Sequence, residues 1–234
     1  MKRWCLCICL ITPLLGTVSS AQVAKPQPHI TITGNSIAQF MGGFQSHLFP
    51  AYQPSNVVIR GWSGYTCQMF LPVLLATVPA NTNVAVLIDS TNDILHNTPL
   101  SDHMSCINQT LNALTMRNPQ IKIVVALTPP WVEGNYGCSV TSGYGDKRAA
   151  IEAFNAAYRG DPGSGYPGLA QSYPHTVVIA DVYTYMVLPN GYADPNLEIG
   201  PCGIHPGYAQ QWSSPWNAFG NVLVSAVQRA LLLR

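Results

Sequence analysis

Five short runs of β-branched and aliphatic residues punctuate the chain: His29 to Thr33, Asn56 to Arg60, Val84 to Ile88, Ile121 to Leu127 and Thr176 to Ala180. Their apolar positions are nearly continuous instead of alternating, as in strands whose sheet is covered by helices on both faces. Segments of helical character lie at Ser36 to Phe49, Tyr65 to Val78, Ser101 to Arg117, Asp146 to Tyr158 and Pro215 to Leu232. The repeated βα order predicts an α/β fold, a doubly wound parallel sheet in a three-layer αβα sandwich. A five-stranded sheet of this kind is expected in the flavodoxin-like order 2-1-3-4-5. The Gly- and Pro-rich stretches Trp131 to Gly145 and Asp161 to Pro174 read as surface loops within one domain.

The N-terminus follows a different pattern. Lys2 and Arg3 precede an apolar run from Trp4 to Leu15, and small residues follow up to Ala21. This is the layout of a secretory signal peptide over residues 1–21, and the run is shorter than the roughly 20 residues of a spanning helix. The expected location is therefore secreted or periplasmic, without stable membrane insertion. Charged residues make up only 9% of the 234-residue chain, against about 25% in an average soluble protein. With 47% hydrophobic residues and a formal net charge of +1, the chain is neither disordered nor basic. No cluster of Lys and Arg is available to neutralise phosphates, so no nucleic-acid partner is expected.

Three of the seven cysteines, Cys5, Cys7 and Cys9, lie in the leader. Cys67, Cys106, Cys138 and Cys202 remain, an even set that suggests two disulfides in an exported protein. No CxxC spacing occurs among them, and the histidines outside the strand ends (His29, His47, His96, His103, His175) show no ligand spacing, so no metal is expected.

In a parallel α/β sheet the active site forms at the carboxyl ends of the strands. The first run is followed there by Gly34-Asn35-Ser36-Ile37, the second by Gly61-Trp62-Ser63-Gly64, and the third by Asp89-Ser90-Thr91-Asn92-Asp93. Beyond the fifth lies Cys202-Gly203-Ile204-His205-Pro206. These are parts for acyl transfer: a hydroxyl nucleophile (Ser36), a histidine base (His205) and oxyanion donors. The donors are the Ser36 and Gly64 backbone N–H groups and the Asn92 side-chain amide. Singly, each residue also has a structural explanation: Ser36 as an N-cap, Gly64 as a turn glycine, Asn92 and His205 as loop residues. Their joint placement on one rim favours the chemistry.

These four blocks, in order and spread over most of the chain, resemble those of the SGNH or GDSL hydrolase superfamily. Ser36, Gly64, Asn92 and His205 stand at the four lettered positions, and no GxSxG elbow of the α/β-hydrolases occurs. The resemblance implies the αβα sandwich as a single domain over residues 22–234, no cofactor, and esterase, lipase, thioesterase or carbohydrate deacetylase activity. Two positions depart from the family's pattern. Asn35 stands where the family usually has Asp, and Cys202 stands three residues before His205, where an Asp usually orients the histidine. The His205 orienter is then a backbone carbonyl near Cys202, or a carboxylate of the same loop, Asp194 or Glu198.

In the inferred fold the second and third helices are neighbours, which pairs Cys67 with Cys106; the loops after strands four and five pair Cys138 with Cys202. Aromatic residues crowd the rim segments, among them Trp62, Tyr65, Trp131, Tyr185, Tyr192 and Trp212. They could accept a sugar ring or an acyl chain. The expected function is that of a monomeric serine esterase acting on small-molecule, glycan or lipid esters. An O-acyltransferase on the same scaffold, or a non-catalytic carbohydrate-binding homologue, are the alternatives.

Overall fold

The structure is a computed structural model that describes residues 27–41, 52–131, 145–194, 205 and 215–234. Five parallel strands, β1 (Ile30–Gly34), β2 (Val57–Gly61), β3 (Val84–Ile88), β4 (Lys122–Ala126) and β5 (Val177–Ala180), form one sheet in the order β2-β1-β3-β4-β5. The expected topology and all five strands are present. β1 and β3 are buried along their whole length, which explains why their apolar residues do not alternate. Thr31 sits in this interior, where its hydroxyl meets that of Thr82 at 2.9 Å.

Nine helices are described: α1 (Ser36–Phe40), α2 (Cys67–Phe70), α3 (Leu74–Thr77), α4 (Thr91–Leu95), α5 (Leu100–Arg117), α6 (Arg148–Arg159), α7 (Leu169–Ser172), α8 (Val182–Met186) and α9 (Pro215–Leu232). α9 packs across β3, β4 and β5, and α1 packs on β1 and β2. α5 stands against α2, α3 and α6. Ile32, Val86 and Val124 of the strands share one core with Leu111 of α5, Tyr158 of α6 and Phe219 of α9. Among the described residues no helix is long and apolar enough to cross a membrane.

Three sequence expectations need correction. The helix predicted over Tyr65 to Val78 is broken into α2, a 3-10 turn at Leu71–Val73, and α3. Pro72 lies in that turn; it has no N–H to donate and its ring crowds the preceding carbonyls. The helix predicted from Ser36 to Phe49 is regular only to Phe40, and residues 42–51 lie outside the described ones. The stretch Asp161 to Pro174, expected as loop, carries α7. α4, α7 and α8 have four or five residues each, too few to show a helical period.

Two glycines set how closely the first turns approach the sheet. A side-chain carbon on Gly34, whose φ is +141°, would lie 1.8 Å from the Ile88 carbonyl oxygen. On Gly61 it would lie 1.9 Å from the Gln39 backbone nitrogen. Only glycine lets β3 and α1 come this near.

Candidate active site

The carboxyl ends of β2, β1 and β3 are level: Gly34 pairs with Gly61 on one side and Ile88 on the other. The three turns that leave these ends are tied to one another by hydrogen bonds. Asn35 N–H donates to the Ile88 carbonyl and Trp62 N–H to the Gly34 carbonyl, both at 2.8 Å. Ser63 N–H donates to Gln39 Oε1 at 2.8 Å, and the Asn92 amide donates to the Tyr65 carbonyl at 2.8 Å.

Ser36 is the first residue of α1, and Asn35 is its N-cap: Asn35 Oδ1 accepts from Ile37 N–H at 2.9 Å. The capping role that could have explained Ser36 therefore belongs to its neighbour. Asn35 also does what an Asp could not, since its Nδ2 donates to the Asp89 carbonyl at 3.2 Å. Ser36 is left for another task. Its Oγ lies 2.8 Å from His205 Nε2, within reach of a direct proton transfer. The Phe40 ring meets the edge of the His205 ring, with centroids 5.0 Å apart and planes at 88°.

The expected oxyanion donors lie on these linked turns. As the first N–H of its helix, that of Ser36 has no intrahelical acceptor. Gly64 has a φ of +78°, and no described atom lies within 4 Å of where a side chain would start. Its N–H donates to no acceptor among the described residues. Asn92 is only 5% exposed, and its bond to Tyr65 uses one of two amide hydrogens, leaving the other for a ligand. Trp62 stacks on Tyr65 at 5.4 Å beside this turn.

The remaining predicted positions divide. Cys67 and Cys106 are bonded to each other, tying α2 to α5. Asp194 is described, with its N–H donating to the Met186 carbonyl at 2.9 Å. Cys138, Glu198 and Cys202 lie outside the described residues, as does the leader. No group of three His, Cys, Asp or Glu side chains suited to a metal ion occurs among the described residues.

A buried polar chain that no sequence motif marks lies beneath the site. Asp93 Oδ2 accepts from Cys67 N–H at 2.9 Å, while its Oδ1 lies 3.2 Å from His103 Nδ1, an ion pair without the alignment of a hydrogen bond. His103 Nε2 meets the Tyr158 hydroxyl at 2.5 Å, and that hydroxyl donates to Asp89 Oδ1 at 2.9 Å. Burial alone would lower the His103 pKa, but its pairing with Asp93 and the negative charges of Asp89 and Asp93 raise it above the usual imidazole value. Burial raises the Asp89 carboxyl. Asp93 directly follows Asn92 in sequence, and a carboxylate set against the apolar pair Ile94-Leu95 was the one available signal of a buried partner.

The sequence matches no family model and no curated protein. Solved structures match over most of its length. One, from Streptococcus pneumoniae and named for platelet activating factor, superposes with a TM-score of 0.69 at 21% identity, over 87% of this chain and 86% of that one. A GDSL-like lipase from Bacteroides thetaiotaomicron gives 0.60 at 18% identity, covering 87% of each chain. The C-terminal catalytic domain of peptidoglycan O-acetyltransferase A from Streptococcus pneumoniae gives 0.58 at 16% identity, over 88% and 96%. The chain has the fold of the GDSL or SGNH hydrolases, as the four sequence blocks implied.

Proposed function

We infer that the protein is a secreted or periplasmic serine esterase of the SGNH type, made with a signal peptide over residues 1–21. The observation that carries this reading is the 2.8 Å contact between Ser36 Oγ and His205 Nε2 at the sheet's carboxyl edge. His205 takes the Ser36 proton as Oγ attacks the ester carbonyl; the carbonyl π pair becomes the oxyanion, held by the Ser36 and Gly64 N–H groups and the Asn92 amide. The oxyanion collapses, the C–O bond to the alcohol breaks, and His205 returns the proton to the leaving oxygen. Water, deprotonated by His205, then attacks the acyl-enzyme and frees the acid and Ser36.

Acetyl or short acyl esters of carbohydrate or lipid alcohols are the substrate class. The Trp62–Tyr65 stack beside the Gly64 turn offers an aromatic face to the alcohol. The enzyme works as a monomer and needs no cofactor. Incubation with a fluorophosphonate should label Ser36 and no other residue, read by peptide mass spectrometry. An unlabelled Ser36 in folded protein contradicts the reading.

The likeness to the O-acetyltransferase domain favours one second reading, in which a sugar hydroxyl replaces water in the last step. Added glycan acceptor would then yield acylated acceptor at the expense of free acid. Hydrolysis unchanged by any acceptor leaves the esterase.

A further inference from the structure

The buried chain beneath the site links the turn after β3 to two helices, α5 and α6. The Tyr158 hydroxyl spends its only hydrogen on Asp89 Oδ1, so at His103 Nε2 it can only accept. His103 Nδ1 faces the Asp93 carboxylate, which also only accepts. Nε2 therefore carries a hydrogen, and the Asp93 carboxylate opposite Nδ1, with Asp89 close by, favours the imidazolium. His103 and Tyr158 are completely buried and Asp93 nearly so.

Each end of this chain reaches one part of the proposed machinery. Asp93 adjoins Asn92, and the two side chains grip one segment: Asn92 holds the Tyr65 carbonyl and Asp93 holds the Cys67 N–H. That segment follows Gly64 directly. At the other end, the Asp89 carbonyl receives the Asn35 amide, the cap of the nucleophile's helix. Between the ends lies Ser90, held at a φ of +67°, a conformation a serine keeps only when its surroundings impose it. One turn along α5 from His103, Cys106 grips Cys67 covalently, so one helix holds both oxyanion turns from behind.

We propose that His103 is a positioning residue: gripping Asp93 directly and Asp89 through Tyr158, it fixes the 89–93 turn so that the Asn92 amide faces the oxyanion. This rests on the serine-esterase reading, and its test separates the two. The substrate is p-nitrophenyl acetate and the variants are His103→Gln, Asn92→Ala and the double variant, with folding checked by circular dichroism. His103→Gln should lower kcat between about tenfold and 100-fold with KM within about twofold, because the oxyanion exists only in the transition state. In the Asn92→Ala background the same change should lower kcat by less than about threefold, since the group it positions is already gone. A full multiplicative loss in the double variant overturns the proposal, as does an unchanged kcat in His103→Gln. Should His103→Gln fail to fold, Tyr158→Phe removes only the hydroxyl of the Asp89 arm. It should show the same loss of kcat and the same silence in the Asn92→Ala background; an additive loss overturns the proposal. Wild-type turnover that does not depend on Ser36 overturns the esterase reading together with this inference, whereas Ser36-dependent turnover indifferent to His103 overturns the inference alone.

Discussion

Asn92 donates to the carbonyl of Tyr65 at 2.8 Å, and this single bond joins the turn after β3 to the turn after β2. It spends one amide hydrogen on structure, and the proposed oxyanion role falls to the other. Asn92→Ala removes both. The expected loss is about 10²–10³ in kcat, with a smaller change in KM, measured on p-nitrophenyl acetate. A drop confined to KM would mean that Asn92 binds the ground state instead.

The Cys67–Cys106 bond closes a loop of 39 residues in sequence separation. Chain entropy assigns such a crosslink about 4 kcal/mol. Urea denaturation of Cys67→Ser/Cys106→Ser should show a loss of roughly 2–4 kcal/mol. A midpoint equal to wild type would show that the pair is not closed in the folded protein.

Fold and site were legible to different depths. The five strands could be read because their burial makes them continuous apolar runs, and the strand ends then located Ser36, Gly64 and Asn92. α4, which carries Asn92, could not be read, because five residues give no period. The Asp93–His103–Tyr158–Asp89 chain was also hidden. Its members are 10, 55 and 69 residues apart in successive contacts, and nothing local marks a histidine on an amphipathic helix as paired. In sequence, Asn35 only stands where an Asp is usual; the fold shows its amide reaching the Asp89 carbonyl.

That bond gives a prediction for the family-like reversion. Asn35→Asp keeps an oxygen to cap Ile37 but places a carboxylate where Nδ2 donates to the Asp89 carbonyl. Loss of the buried bond should destabilise the fold by about 1–3 kcal/mol, measured by denaturant unfolding. Equal or greater stability would show that the amide bond contributes nothing.

The buried imidazolium makes stability fall on the alkaline side. The charged and titratable groups facing His103 are Asp93 of α4, Asp89 after β3 and Tyr158 of α6. Because the folded His103 pKa is raised, its contribution is complete below the unfolded value of about 6.5. It is lost as pH rises through the folded value. Asp89, also raised, acts with the same sign from the carboxylate range upward. The melting temperature of wild type should decline as pH rises above about 6.5, and His103→Gln should flatten that decline. Parallel profiles would contradict the charged state assigned to His103.

Cys202 stands in the usual place of the orienting acid, and a backbone carbonyl is the proposed orienter of His205. Asp194→Asn and Glu198→Gln should then each leave kcat within about threefold. A loss approaching the roughly 10⁴ typical of a removed triad carboxylate would assign the role to that side chain.

The most direct measurement is hydrolysis of p-nitrophenyl esters, from acetyl to long acyl chains, by the oxidised protein beside Ser36→Ala and His205→Ala. A Ser36–His205 esterase requires wild-type turnover that falls at least about 10³-fold in both variants, with an optimum at acetyl or another short acyl chain. Turnover that survives in Ser36→Ala, or a wild type that cleaves none of these esters, would contradict it.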